Sequence, residues 1–124
     1  MKGWILILSN KKVLGRIGEK LAIQYLKTNS FKIIERNFYC KQGEIDIIAV
    51  DKNTIVFIEV KTRCNTVFGK PSTAVNKAKQ IHMYNASKYF LYKYNLNNKF
   101  VRFDVIEVYI KDGKCDINHI KQIM

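Results

Sequence analysis

Apolar and polar positions along this chain follow two rhythms. Between about residues 11 and 29, Leu14, Ile17, Leu21 and Tyr25 recur every three or four positions, the period of an amphipathic helix. Gly18 and Ala22 share that side and would let the face approach a neighbour closely. From Phe31 the rhythm changes. Residues 31–40 read as a strand, and Lys41-Gln42-Gly43 as a turn. Two β-rich runs, 44–50 and 54–62, flank Asp51-Lys52-Asn53 and read as a hairpin. Residues 63–70 read as a loop. Pro71-Ser72-Thr73 offers a helix start, with Ser72 or Thr73 as N-cap. The helix is expected to run to about Tyr94, with Ala74, Val75, Ala78, Ile81 or His82, Ala86 and Phe90 inward. Asn97-Asn98 breaks it. A strand over 100–110, a Lys111-Asp112-Gly113 turn and an edge strand over 115–123 complete the chain. The order α-β-β-β-α-β-β predicts an α/β sandwich, a mixed central sheet flanked by helices. No repeat or Pro/Gly/Ser linker interrupts it, so residues 1–124 read as one domain, with 1–10 an accessory or ragged N-terminal segment.

The hairpin carries charge where strands are usually apolar. If Lys52 and Asn53 form a two-residue loop, Asp46 faces Glu59 and Glu44 faces Lys61. Opposed residues of an antiparallel pair project to the same side, with Cβ atoms roughly 4.5–5.5 Å apart. Two bare carboxylates that close repel, unless a cation lies between them. A divalent metal is such a cation. Mg²⁺ takes hard oxygen ligands, commonly one or two carboxylates plus waters and a substrate phosphate. Lys61, two residues past Glu59, shares its face, because strand side chains alternate with period 2. Val60 points the other way, but its carbonyl lies beside the site as a further candidate ligand. The bland alternative is a cross-strand salt-bridge ladder, with Glu44 on Lys61 and Asp46 in water. Glu59 argues against it, because it sits inside Ile-Val-Phe-Ile-Glu-Val, where desolvation without a partner is costly.

Composition changes the picture in one respect. With 22 Lys+Arg against 10 Asp+Glu, the formal charge is +12, which points to an acidic partner, nucleic acid first. The cysteines, Cys40, Cys64 and Cys115, are widely spaced with no CxxC or Cys/His cluster, so a zinc site is not expected and reduced thiols are. Trp4-Ile5-Leu6-Ile7-Leu8 is far short of the roughly 20 residues of a membrane helix. A cytoplasmic protein is expected. His82 and His119 have no partner motif and read as ordinary histidines. Asp104, mid-strand, reads as structural, pairing with a buried basic group.

Asp46 followed by Glu59-Val60-Lys61 resembles the PD-(D/E)xK motif of restriction-endonuclease-like nucleases, with Ile45 where the motif has proline. The α-β-β-β-α-β order is also that of their core. More narrowly, the chain resembles the YraN-like uncharacterised bacterial family. The matching segments are 15–22 (Gly-Arg-Ile-Gly-Glu-Lys-Leu-Ala), Glu35-Arg36-Asn37-Phe38, Gly43-Glu44-Ile45-Asp46, 57–63 (Phe-Ile-Glu-Val-Lys-Thr-Arg) and Arg102-Phe103-Asp104-Val105. That family is similar in pattern to archaeal Holliday-junction resolvases. The resemblance implies a restriction-endonuclease-like sandwich and a Mg²⁺- or Mn²⁺-dependent endonuclease acting on DNA, branched DNA included. It implies catalytic roles for Glu19, Asp46, Glu59 and Lys61, with Asp46, Glu59, Val60 and Glu19 around the metal. Lys79 and Gln80 match a polar pair on the family's second helix, and with Arg63 are candidate nucleic-acid contacts. By analogy with resolvases, a homodimer is implied.

Two other functions stay open on the residues alone. One is a nucleic-acid-binding module of the same fold without turnover. The other is a non-enzymatic accessory protein using its basic surface.

Overall fold

A computed structural model describes residues 10–64 and 76–124. The elements are α1 (Lys11–Thr28), β1 (Lys32–Cys40), β2 (Gly43–Asp51), β3 (Thr54–Cys64), α2 (Lys77–Lys93), β4 (Phe100–Lys111) and β5 (Lys114–Ile120). The five strands form one sheet in chain order. All neighbours are antiparallel except β3 and β4, which run parallel because α2 carries the chain back between them.

Each helix covers one face. Leu14, Ala22, Ile23 and Leu26 of α1 pack with Ile47, Ala49, Val56, Ile58, Ile106 and Val108. On the other face, Met83, Ala86 and Phe90 of α2 pack with Phe38, Ile45, Ile48, Phe57 and Phe103. Burial on both faces explains why the middle strands read as nearly continuous apolar runs. It also assigns the charged residues of β3. Ile55, Phe57, Glu59, Lys61 and Arg63 line up on the α2 face, and Val56, Ile58, Val60, Thr62 and Cys64 on the α1 face.

The hairpin register is the expected one from Asp51↔Thr54 down to Ile47↔Ile58, with Lys52-Asn53 as its loop. Lys52 takes a φ of 57°, the sign that primed two-residue turns require at their first position.

Several expectations change. β3 continues through Arg63 to Cys64, because both residues stay in the parallel ladder with Tyr109 and Ile110. The proposed start at Pro71-Ser72-Thr73, with Ala74 and Val75, lies outside the described residues. Described α2 begins at Lys77, where the Asn76 side chain caps it by accepting from the Lys79 N–H at 2.9 Å. Ile81 is 54% exposed, and Ala78 and His82 also face out; Met83 and Ser87 turn inward instead. β5 ends at Ile120 rather than Ile123. Among the described residues no helix is long and apolar enough to cross a membrane, and none of the cysteines is in a disulfide.

The close approach read into Gly18 is where α1 meets the strand that carries the site. A Cβ on Gly18 would overlap the Thr62 side chain, including its Cβ. Thr62 is β-branched and stiff, so the helix has to move. Gly18→Ala should therefore lose about 1–3 kcal/mol despite its better helix propensity. A chemical-denaturation midpoint at or above the parent's would show that the helix absorbs the methyl.

Candidate functional site

The β2–β3 ladder ends at Ile47↔Ile58, although β2 starts at Gly43 and β3 runs on to Cys64. The two strands splay there. Ile47 packs on the α1 side and Ile45 on the α2 side, although strand alternation would place them together. Asp46 sits at this switch. It does not oppose Glu59 as a ladder pair. Its Oδ2 instead accepts the Val60 N–H at 2.8 Å, filling a donor that the departing strand leaves unpaired. The expected convergence is still reached, by a side chain bridging a fork.

Glu59 is 4% exposed at the end of the apolar run. Burial first, then the Asp46 charge, push its pKa up from 4.5 to about 7, against the pull of Lys79 and Lys61. Lys79 Nζ lies 3.5 Å and Lys61 Nζ 3.7 Å from Oε1. Both distances exceed good hydrogen-bond length, so these ammonium groups neighbour the carboxylate without saturating it. Oε2 is buried and has no hydrogen-bond partner among the described residues. A buried carboxylate oxygen without a partner is a costly arrangement in an otherwise well-packed strand.

Glu19 reaches the same place from α1. Burial, then Asp46, raise its pKa; a hydrogen bond with the Asn37 side chain opposes them, Glu44 adds to the rise and Arg36 resists it. Glu19, Asp46, Glu59, Val60 and Thr62 line a cleft of about 460 Å³ whose α1 wall is Leu14 and Gly15. A larger cleft of about 540 Å³ lies at the hairpin end of β3, between Ile34, Ile55, Leu96 and Phe100. Its lining holds Lys52 and Lys99 but no carboxylate; the carboxylates gather in the smaller one.

The structure thus brings together Glu19, Asp46, Glu59, Val60, Lys61 and Lys79. Gln80 is half-buried in the same first turn of α2. Lys61 has its ion pair with Glu59 rather than with Glu44. Arg63 points elsewhere, to Glu107, with Nε 3.1 Å from Oε2. Asp104 is also away from the cleft, held by Arg102 and His119, as its structural reading expects. One residue went unnoticed in the sequence. Glu107 is 1% exposed and lies in register with Lys61 across the parallel ladder. The signal was available: a carboxylate inside the apolar run Val105-Ile106-Glu107-Val108, as in Glu59.

No three acidic, histidine or cysteine side chains among the described residues form a ready-made metal cage. Two hard carboxylates, one with an orphaned oxygen, still fit a Mg²⁺-like ion, which keeps waters and completes its shell with substrate.

The chain is a mixed α/β protein with a carboxylate–lysine cleft at a strand fork. It belongs to the uncharacterised protein family UPF0102, whose model matches residues 18–108. It is 48% identical over 114 residues to a UPF0102 protein of Caldicellulosiruptor saccharolyticus, covering 90% of this chain and 97% of that one. Over 115 residues it is 45% identical to one from Caldanaerobacter subterraneus subsp. tengcongensis, covering 93% and 94%. A Clostridium botulinum relative is 53% identical over 98 residues, covering 78% and 80%. The solved structure of SSO0001 aligns with 91% of this chain and 53% of its own, at 21% identity and a TM-score of 0.37, too loose a likeness to bear on fold or function.

Proposed function

We propose that this protein is a restriction-endonuclease-like nuclease that hydrolyses phosphodiester bonds in DNA with Mg²⁺ or Mn²⁺. The observation that carries the reading is the buried Glu59 carboxylate, with an orphaned oxygen, beside Asp46 and under two lysines. Asp46 and Glu59 would hold the ion, with Glu19 and the Val60 carbonyl at its margin. A bound divalent ion supplies a more acidic water and charge neutralisation at phosphate. The Val60 N–H fixes the Asp46 carboxylate, so one ligand is oriented before anything binds. Lys61, on the Glu59 face, is placed to orient the attacking water or meet charge developing on the phosphate. Lys77 and Lys79 occupy the first turn of α2, with no acidic residue there. Cations at a helix N-terminus oppose the macrodipole, an arrangement that favours binding an anion. The charge of +12 supports a polyanionic substrate.

The lysines leaning on Glu59 also favour a second reading, a binding module whose cations replace the metal. Linear, flapped and four-way DNA incubated with Mn²⁺ separates the two. Cleavage should occur on at least one substrate, and Asp46→Ala should lose at least ~10²-fold in rate. Equal cleavage by both proteins would sink the site. Firm binding without cleavage would select the second reading.

A further inference from the structure

Arginine 63 and Arg102 are both tied to carboxylates in the sheet, but in different ways. Arg102 is used up: Nε and Nη2 bond Asp104, and Nη1 bonds Asp51 at 3.1 Å. Arg63 gives only its Nε, to Glu107 Oε2 at 3.1 Å. Among the described residues neither of its Nη groups has a partner. Its side chain is 29% exposed, whereas that of Glu107 is 1%. The pair therefore has a buried anchor and an open end.

The anchor is built with care. Asn118 Nδ2 and the Tyr109 hydroxyl both donate to Glu107 Oε1, at 2.9 and 3.2 Å. These neutral donors occupy one oxygen and turn the other toward Arg63. Asn118 is the direct register partner of Glu107, and Tyr109 lies two residues along the same face. Burying a carboxylate costs several kcal/mol, and a pair kept only for stability would use the guanidinium fork bidentately, as Arg102 does.

We propose that Glu107 is a positioning residue: it holds Arg63 by Nε so that both Nη groups face outward as a clamp for a nucleic-acid phosphate. This rests on the nucleic-acid reading of the cleft. Arg63 shares the α2 face with Glu59 and Lys61 and lies two strand positions, about 6.6 Å, beyond Lys61. The phosphate it takes is thus a neighbour of the one at the carboxylates. Planar bidentate recognition suits arginine, and lysine cannot replace it.

Fluorescence anisotropy of a labelled DNA duplex, without divalent metal and over a range of salt, tests this by sign. Glu107→Gln makes the protein one charge more positive, so plain electrostatics predicts tighter binding. Positioning predicts binding about 5–10-fold weaker. Arg63→Ala should weaken binding similarly and lower the salt slope by about one. The Arg63→Ala/Glu107→Gln double variant should bind like Arg63→Ala alone. Arg63→Lys keeps the charge but not the fork, and should also bind weakly, which serves if Glu107→Gln does not fold. Parent-like or tighter binding by folded Glu107→Gln, with Arg63→Ala weakened, overturns the positioning role and leaves the nucleic-acid reading standing. Parent-like binding by Arg63→Lys overturns it too. No binding by the parent protein at low salt overturns both.

Discussion

Glu59→Gln should melt higher than the parent protein above pH 7, and the gain should shrink toward zero as pH falls to about 4.5. Burial holds the Glu59 proton to about pH 7 in the folded protein, against 4.5 ordinarily. Below 4.5 the group is neutral in both states and contributes nothing. Between 4.5 and 7 the unfolded chain releases the proton while the folded one keeps it, so stability falls as pH rises. Above 7 the full cost of a buried charge is present, on the order of 3 kcal/mol for a shift of this size. Glutamine has the shape without the charge. Its gain at pH 8 should be roughly 10 °C in Tm. Lys61 and Lys79, each 35% exposed, can turn to water when the charge is gone. If the proposed metal site is right, Mn²⁺ should raise the Tm of the parent, and the same substitution should remove that rise, because one of the two proposed carboxylate ligands is lost. A functional group that strains its fold gives this opposed pair of effects. A Glu59→Gln protein that melts below the parent at pH 8 would mean that Glu59 is a structural anchor for the two lysines.

How much of this was legible in the sequence depends on the range of each interaction. The hairpin was, because two apolar runs and a two-residue loop fix a register that needs only local information. The faces of β3 followed from alternation alone. The fork was not legible. Alternation predicts that Asp46 opposes Glu59, and nothing in Gly43-Glu44-Ile45-Asp46 announces that the ladder stops one residue earlier. Glu107 was missed although it carries the signal seen at Glu59, because its partner Arg63 is 44 residues away, across α2. Arg63 reads as loop for the same reason: only the parallel partner strand extends β3 that far. Described α2 is capped by Asn76, a residue as suited to capping by type as Ser72 or Thr73. Asp104 came through in outline, as a buried acid needing a base. Its bases were not separable in the sequence, since Arg102 is two residues away and His119 fifteen.

That buried cluster carries the largest expected loss. Asp104 is wholly buried and accepts four partners: Arg102 Nε at 2.9 Å, Arg102 Nη2 at 3.0 Å, His119 Nε2 at 2.7 Å and the Gln122 N–H at 3.1 Å. Burial works against its charge, but the bonds from His119, Arg102 and Gln122 outweigh it and hold the pKa below the ordinary value. Nε2 of His119 donates to Asp104, and its Nδ1 shares a hydrogen bond with the Tyr25 hydroxyl at 3.0 Å. Arg102 also reaches Asp51 beside the hairpin loop. One carboxylate thus ties β4 to β5, to α1 and to the β2–β3 turn. Asp104→Asn removes the charge and puts an N–H₂ where two oxygens accepted. It leaves Arg102 half-paired and one donor facing another, a change that costs about 3–5 kcal/mol in buried pairs. Asp51→Asn, at the more exposed end of Arg102, should cost under about 1 kcal/mol. The acid side gives a second check. A carboxylate with a lowered folded pKa stabilises above its unfolded value and loses that contribution as pH falls through the folded one. The gap between parent and Asp104→Asn should therefore be full at pH 7 and narrow below about pH 4. Urea midpoints followed by circular dichroism at pH 7 and pH 3 measure both. An Asp104→Asn protein within about 1 kcal/mol of the parent at pH 7 would show that the cluster does not hold the sheet to α1.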